Sequence, residues 1–483
     1  MSMDNVVEID NLWVRYRSSE NWVLRNVNLD IKQGHAVLIV GRSGSGKTTL
    51  VRTLTGAIKY IYGAEVRGSI KILSKEIEDH DVEELRKIVQ VVNQNPYADF
   101  FNIYIEDDIL SIINLSNVDR ESISKFFKMF KVENLMNRYL FELSGGQLKR
   151  LAIVKALLFN PSIIILDEPL MWLDDIGVDS VVESIKLLKN LGKTVIILEH
   201  RFKPLLDLVD DIYIIRNSAI EHIDKNLLRS SEHGDQIDNK KVYTSNSSRE
   251  KVVEVRDVWF RYDKEWILKD IEVYIYEGDV VILYGLNGSG KSTFLKILAG
   301  YLKPVKGFIK INRRTIYIPQ NVYLFYTEET LEDEIKAVCS YRKAKDSCIE
   351  MIKSKVVKEL SLPDVDLGRT PFSLSWGEAI RFAISLTRAL DPKTLILLDE
   401  PFTGLTYYER FLLADYLSRL GGTMVIATSN KDVVSFMYAK NRDMKTFKLS
   451  SDGLEEVEIG IDLDVVDLGY RVRELLYGDE DWG

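Results

Sequence analysis

Two kinds of apolar run recur along the chain. Short uninterrupted blocks, Ala36 to Val40, Ile163 to Leu166, Thr194 to Leu198 and Val280 to Tyr284, have the length and β-branched content of fully buried strands. Between them, apolar residues recur at helical spacing. Leu148, Leu151, Ala152 and Ala156 share one face of a helix that begins near Gln147 and stops before Asn160-Pro161. Ile380, Ala383, Ile384 and Leu390 do the same in a helix that stops before Asp391-Pro392. Buried strands alternating with helices predict a mainly parallel α/β sheet covered on both faces. The stretches Val7 to Tyr16 and Val253 to Tyr262 alternate instead, as strands with one polar face do, and each ends on a late aromatic.

The series occurs twice in the same order. Gly41-Arg-Ser-Gly-Ser-Gly-Lys-Thr48 is matched by Gly285-Leu-Asn-Gly-Ser-Gly-Lys-Ser292, Leu143-Ser-Gly-Gly-Gln147 by Leu374-Ser-Trp-Gly-Glu378, and Ile163 to Pro169 by Leu395 to Pro401. Such a long period means two similar domains. The expected organisation is a first domain over 1–226, a flexible polar linker over 227–250, a second domain over 251–440 and an extension over 441–483. The extension is expected to add a strand pair and a short amphipathic helix. Gln94 follows Lys47 by 47 positions, whereas Gln320 follows Lys291 by 29 (94 minus 47; 320 minus 291). The shorter spacing predicts that the second domain has lost most of a peripheral sheet hairpin.

Each glycine-rich segment follows an apolar strand and opens a helix, the context that makes it a phosphate-binding P-loop. Its glycines let backbone N–H groups converge on phosphate oxygens, and the helix N-terminus adds partial positive charge. The helix then ends at Gly56 or Gly300, where a left-handed cap is expected. The candidate phosphate cradles are Gly41, Ser43, Gly44, Ser45, Gly46, Lys47, Thr48 and Thr49, and Gly285, Asn287, Gly288, Ser289, Gly290, Lys291, Ser292 and Thr293. Lys47 and Lys291 are placed to reach the β- and γ-phosphates of a nucleotide, and Thr48 and Ser292 to offer a hydroxyl to Mg²⁺. Asp167 and Asp399 end buried strands, where a carboxylate is costly unless it faces an ion or solvent, and are assigned to Mg²⁺. Glu168 and Glu400, next in sequence, are candidate general bases for an attacking water.

Taken together these residues resemble the ABC ATPase family over roughly Val6 to Ile223 and Val252 to Ala439. The most specific element is Leu-Ser-Gly-Gly-Gln at 143 to 147. The resemblance implies two P-loop NTPase domains, each a mainly parallel sheet flanked by helices, with an antiparallel β-subdomain and a helical subdomain. It implies ATP and Mg²⁺ as ligands, and an intramolecular head-to-tail dimer in which each ATP lies between one P-loop and the opposite signature. Ser144, Gly146 and Gln147, and Ser375 and Gly377, would then touch nucleotide held by the other half. It further implies that Tyr16 and Tyr262 stack on adenine, that Gln94 and Gln320 contact Mg²⁺ and the lytic water, and that His200 contacts the γ-phosphate. The second copy departs from the pattern with Trp376 in its signature, Thr406 where the first has Asp174, and Ser429 where the first has His200; the first has an unusual Trp172. On these departures the site built on Lys47, Asp167, Glu168 and His200 is expected to hydrolyse faster, since one preorganised donor to a transition state is worth about 10²–10³ in rate.

Within that family the chain is most similar to the ATPases of energy-coupling-factor (ECF) importers. The likeness rests on Asn95-Pro96 through Phe100 to Asp108 after Gln94, on Asn321 and Glu328 to Glu334 after Gln320, and on Arg201 to Asp207 after His200. It implies an integral membrane T component docked beside the segment after Gln94, and a substrate-binding S component. The alternatives are the tandem ATPase of a sugar-type importer, against which the intact Lys291 and Glu400 count, and a non-transport ABC protein acting on ribosomes or another macromolecule. The formal net charge of -9 argues against a nucleic-acid partner. No apolar run approaches the ~18 residues of a membrane span, and the N-terminus lacks a signal-peptide pattern. The expected place is cytoplasmic, peripheral on the cytoplasmic face of the cell membrane. Cys339 and Cys348 lack ligand neighbours and are expected to be reduced thiols.

Overall fold

The computed structural model describes residues 4–41, 44–116, 118–171, 173–199, 203–225, 249–340, 345–359, 367–405, 407–441 and 444–457. Ser43, Trp172, His200, Arg201, Phe202, Thr406, the linker through residue 248 and the tail from 458 lie outside them. The chain forms two compact units.

In the first unit, strands β1 (Asn5–Arg15), β2 (Leu24–Lys32), β4 (Glu65–Ile72) and β5 (Lys75–Glu76) make an antiparallel sheet in the order β2-β1-β4-β5. Strands β3 (Ala36–Gly41), β6 (Val89–Val92), β7 (Ile163–Asp167), β8 (Thr194–Leu198), β9 (Asp211–Arg216) and β10 (Ala219–Ile223) make the main sheet, ordered β10-β9-β3-β8-β7-β6 and parallel from β9 to β6. Every residue of β3 and β8 is buried, as continuous apolar blocks require at the centre of a parallel sheet. Helices α1 (Lys47–Leu54), α2 (Ala57–Tyr60), α3 (Val82–Ile88), α4 (Ile105–Ser116), α5 (Arg120–Met129), α6 (Gly145–Leu157) and α7 (Asp175–Asn190) complete it. One core is shared by both sheets and α1, and includes Val7, Leu24, Ile39, Leu50, Ile72 and Ile165.

The second unit repeats this plan. Its antiparallel sheet has β11 (Lys251–Tyr262), β12 (Glu265–Tyr276) and β14 (Lys306–Ile311), ordered β12-β11-β14. Its main sheet has β13 (Val280–Tyr284), β15 (Thr315–Ile318), β16 (Leu395–Asp399), β17 (Met424–Thr428), β18 (Lys445–Ser450) and β19 (Gly453–Glu456), ordered β15-β16-β17-β13-β18-β19. The helices are α8 (Lys291–Leu298), α9 (Leu331–Ser340), α10 (Lys345–Glu359), α11 (Trp376–Leu390), α12 (Tyr407–Leu420) and α13 (Lys431–Lys440). One core lies between the main sheet and α9, α11 and α12; the other lies between that sheet and the antiparallel one.

Three expectations need correction. The lost hairpin is smaller than expected: β14 answers to β4, and the second unit lacks the two-residue β5 that pairs with β4 in the first, together with helix α3. Spacing reports a length difference but not its secondary structure. The strand pair expected as an added extension is β18 and β19, which hold in the second main sheet the places of β9 and β10 in the first. Cys339 and Cys348 are bonded to each other as a disulfide, with Cα atoms 5.8 Å apart, rather than standing as separate thiols. Helices α9 and α10 pack together and bring the two buried sulfurs into one core.

Each antiparallel sheet bends at the same place. Asn11 and Asp257 take positive φ (47° and 48°), and the facing glycines, Gly68 and Gly307, have φ of 97° and 102°. A Cβ at either glycine would press into the backbone carbonyl of Asn11 or Asp257. Neither relief by rotation nor a flexible neighbour is available there. Gly68→Ala and Gly307→Ala should each destabilise by roughly 2–3 kcal/mol, read as a lowered urea midpoint; a change under about 0.5 kcal/mol would show that the bulge relaxes more easily than its geometry indicates.

Candidate functional site

Both P-loops have the shape expected of a phosphate cradle. In the first, Gly44 and Gly46 have φ of 76° and 110°, and a Cβ on Gly46 would meet Leu24 at 2.8 Å. In the second, Gly288 and Gly290 have φ of 80° and 96°, and a Cβ on Gly290 would meet Leu268 and Ile267 at 2.9 Å. A side chain at the last glycine would therefore need both a left-handed backbone and space taken by β2 or β12. The hydroxyls of Ser45 and Ser289 are buried without a hydrogen-bond partner. Orphaned buried donors inside a curled backbone, next to a buried lysine, fit a phosphate group.

The lysines are held by their own loops. Lys47 Nζ donates to the Gly41 carbonyl (2.6 Å); Lys291 Nζ donates to the carbonyls of Gly285 (2.8 Å) and Leu286 (2.9 Å). Lys291 Nζ also lies 3.1 Å from Glu400 Oε1, both groups being buried. Burial raises the Glu400 pKa, and the Lys291 ammonium opposes that rise. Glu400 Oε2 accepts from the Ser429 backbone N–H (3.1 Å). In the first unit Gln94 Nε2 donates to Glu168 Oε2 at 2.8 Å. Gln320 is exposed and makes no such contact with Glu400. Thus the structure brings Gln94 and Glu168 together in the first unit, and Glu400 and its P-loop lysine in the second.

Glu168 and Glu400 have φ of 44° and 45°, strained for a non-glycine residue. Their N–H groups donate to Leu198 (2.8 Å) and Ala427 (2.9 Å) of the adjacent strand, which holds the turn. Asp167 precedes Glu168 at the end of β7. Its pKa is pushed up to about 6, chiefly by burial and further by the Glu168 charge, against the pull of Lys47. Asp399 accepts from Ser292 Oγ at 2.9 Å, so the two candidate Mg²⁺ groups of the second unit are already in contact. Thr48 is exposed at the start of α1, and Thr49 and Thr293 are buried one position on.

The aromatic candidates differ. The Tyr16 hydroxyl accepts from Arg52 (2.9 Å) and lies 3.2 Å from Thr49 Oγ1, which fixes its ring over α1. Tyr262 is exposed, with its edge against Phe260. Both signature serines act as helix caps. Ser144 Oγ accepts from the Gln147 N–H while Gln147 Oε1 accepts from the Ser144 N–H; Ser375 and Glu378 do the same. Gly146 sits where a Cβ would come within 3.1 Å of Gly177, so close packing of α6 on α7 also demands it. Gly377 carries no such crowding. Trp376, in the place of Gly145, lays its ring 3.4 Å from the Cβ position of Gly404 and edge-on to Tyr323.

Sequence reasoning missed two buried lysines on α6. Lys149 Nζ donates to the carbonyls of Asn93 (2.7 Å) and Gln94 (2.9 Å), and its pKa is pushed down to about 8 by burial. Lys155 forms a buried ion pair with Asp108. Both therefore fasten the segment around Gln94 to the helix that starts at Ser144. The only signal available was a basic residue falling on the apolar side of a helical pattern, which is easily read as solvated.

The ABC transporter family profile matches residues 24–171 and 268–403, covering both P-loops and both Asp-Glu pairs. The chain belongs to the ABC transporter family. It is 30% identical over 465 residues to a protein of Sulfurisphaera tokodaii, covering 88% of this chain and 93% of that one, and 29% identical over 503 residues to one of Clostridium perfringens (89% and 87%). Both bear the description "Putative ABC transporter ATP-binding protein". Among solved structures, the archaeal ribosome recycling factor aABCE1 aligns with TM-score 0.63 at 22% identity (91% of this chain, 87% of that one), and a protein titled RNase-L Inhibitor with TM-score 0.61 at 23% identity (95% and 92%). At those identities the likeness establishes the ABC ATPase fold.

The two matched regions each contain a P-loop lysine and the carboxylates just described. ATP, when bound, supplies the transferable phosphoryl group, and Mg²⁺ screens its charge. The protein's own part is to hold ionised carboxylates beside the P-loop in a buried setting. That arrangement opposes folding when no ligand is present. Because the folded Asp167 carboxyl has a raised pKa, the native state binds more protons than the unfolded chain between about pH 4 and pH 6, and its ionisation costs stability above that range. Asp167→Asn should therefore stabilise the ligand-free protein by about 2–3 kcal/mol at pH 8, with the gain shrinking as pH falls through 6 towards 4. Thermal unfolding without Mg²⁺ or nucleotide checks this; an unchanged or lowered midpoint at pH 8 would count against it.

Proposed function

We propose that this tandem ABC ATPase is the ATP-hydrolysing subunit of an ECF-type importer, seated on the cytoplasmic face of the membrane beneath an integral T component, with an S component binding the solute. The supporting observation is an exposed apolar surface beside the segment after Gln94. Phe101 is 82% exposed, Phe141 69% and Ile103 64%. Tyr139 stacks on Phe141 at 5.3 Å and packs against Tyr104 at the same distance. The second unit carries a smaller counterpart at Leu324 (74%) and Phe372 (64%) after Gln320.

This surface is displayed on rigid backbone. Asp108, fully buried, accepts from the N–H groups of Phe101 (2.7 Å) and Asn102 (3.0 Å) and pairs with Lys155. Leu140 N–H donates to the Ile103 carbonyl at 2.9 Å. Large apolar side chains turned to solvent on a pinned segment mark a surface that receives a partner. Its tie to Gln94 through Lys149 supplies a route from that partner to the water-positioning side chain. No helix among the described residues is long and apolar enough to cross a membrane.

In the same reading Ser144, Gly146 and Gln147 act on nucleotide held at Lys291, and Ser375 and Gly377 on nucleotide held at Lys47. The head-to-tail pairing and the role of His200 come from the family resemblance. The relatives' shared description as transporter ATP-binding proteins supports the transport reading. The ribosome-associated title of one fold neighbour supplies the outcome to be tested against it.

Expressed from its own genomic setting with an affinity tag, the chain should fractionate with membranes and retain an integral membrane partner. Phe101→Asp with Phe141→Asp should lower that retention at least tenfold while leaving nucleotide binding intact. Recovery with ribosomes and not membranes would overturn the transport reading. The two hydrolytic sites should also differ: Glu168→Gln should lower ATPase turnover more than Glu400→Gln, measured as phosphate release under saturating Mg-ATP. A larger loss from Glu400→Gln would reverse the assignment.

A further inference from the structure

The second nucleotide site contains a side chain that the first has no equivalent for. Tyr317, on β15, donates its hydroxyl to Asp399 Oδ2 at 2.7 Å, while Ser292 Oγ donates to Asp399 Oδ1 at 2.9 Å. Both oxygens of one buried carboxylate therefore meet a hydroxyl donor. Strand register makes this possible. Tyr317 pairs with Leu397 in the parallel ladder, so its side chain shares the face of Leu397 and, two residues on, of Asp399. In the first unit the same ladder position pairs Val91 with Ile165, and valine has no hydroxyl to offer Asp167.

The phenol is also fixed from its other side. Tyr301, next after the Gly300 that ends α8, sets its ring edge-on to Tyr317 with centroids 5.8 Å apart. The first unit has Ala57 at the corresponding place after Gly56.

We propose that Tyr317 is a positioning residue of the second nucleotide site, holding the Asp399 carboxylate so that it and the Ser292 hydroxyl present a fixed pair of oxygens to the Mg²⁺ of bound nucleotide. This rests on the reading of the second P-loop as an ATP site but not on what the ATPase drives. A carboxylate with one donor on each oxygen cannot rotate without losing a bond. It reaches the metal without first paying to order itself. The first site must order Asp167 by other means. The second site thus gains metal affinity from a tyrosine at a position that lies outside every motif of the family resemblance.

The test uses the full chain carrying Lys47→Ala, so that nucleotide reports on the second P-loop, with trinitrophenyl-ATP as fluorescent probe, in EDTA and across a Mg²⁺ titration. Tyr317→Phe, which keeps the ring and its contact with Tyr301, should leave affinity in EDTA within about twofold and raise the half-saturating Mg²⁺ concentration about three- to tenfold, as loss of one hydrogen bond predicts. Tyr317→Val, which copies the first site, should shift the Mg²⁺ curve by a similar factor. Three results would overturn the proposal. One is a Tyr317→Phe curve superimposed on that of the parent. Another is an equal loss in EDTA and in Mg²⁺, which would mark a packing role. The third is a parent that fails to bind the probe even with Mg²⁺, which would remove the nucleotide reading of the second half as well.

Discussion

Each half of this protein is organised around charge gathered at the carboxyl edge of a parallel sheet. A lysine ammonium, an aspartate and a glutamate gather at the ends of β3 and β7, on either side of β8, and again at the ends of β13 and β16, on either side of β17. The structure shows neighbours that hold these groups. Lys47 and Lys291 bond to their own loop carbonyls, Lys291 adds Glu400, and Glu168 takes the amide of Gln94. A buried carboxyl driven up to about 6 and two glutamates at positive φ are the costs of keeping the edge ready for a charged ligand. Stability is surrendered there and recovered in the apolar blocks that form the strands leading up to it.

The two copies meet the same constraint with different chemistry. In the first, α6 sends Lys149 and Lys155 into the core to hold the segment after β6 by its carbonyls and by Asp108. The second has Ile380 and Leu386 at those positions of α11. There, Tyr323 donates to the Leu374 carbonyl at 2.8 Å, and Tyr326 donates to that of Ala379. The direction of the link is thus reversed: helix reaches to loop in one copy, loop reaches to helix in the other. Burying a phenol costs less than burying an ammonium, and the second copy keeps the joint without a desolvated charge. Trp376 fits this pattern. Its indole meets Tyr323 edge-on, and Tyr323 in turn packs against Phe372.

The strands, the P-loops and the helix caps were legible because each depends on local sequence. A run such as Thr194 to Leu198 can only be a buried strand, and Ser144 and Ser375 stand three residues before Gln147 and Glu378, the spacing of a capping box. What escaped depends on contacts distant in sequence. The bond between Cys339 and Cys348 exists because α9 and α10 pack together, and no ligand spacing announces it. Lys149 looks solvated until the segment from Asn93 is folded over it. The shorter second copy revealed a deletion, yet only the folded sheets show that β5 and α3 are what is missing.

The joint between signature helix and glutamine segment has a consequence for coupling. Because Lys149 holds the carbonyl of Gln94 itself, a displacement of the exposed aromatics around Phe101 cannot be absorbed between α6 and β6 without breaking buried, charge-assisted hydrogen bonds worth roughly 1.5–3 kcal/mol each. The softer path is rotation of the Gln94 side chain, whose bond to Glu168 lies at an exposed position. Under the proposed function, motion at the surface converts into reorientation of the Gln94 amide on Glu168 rather than into sliding of the helix. In the second copy Gln320 is exposed, and Glu400 is held by Lys291. Glu168 is thus linked to Gln94 in the first copy and Glu400 to its P-loop lysine in the second, so that identical motifs in one chain carry different contacts.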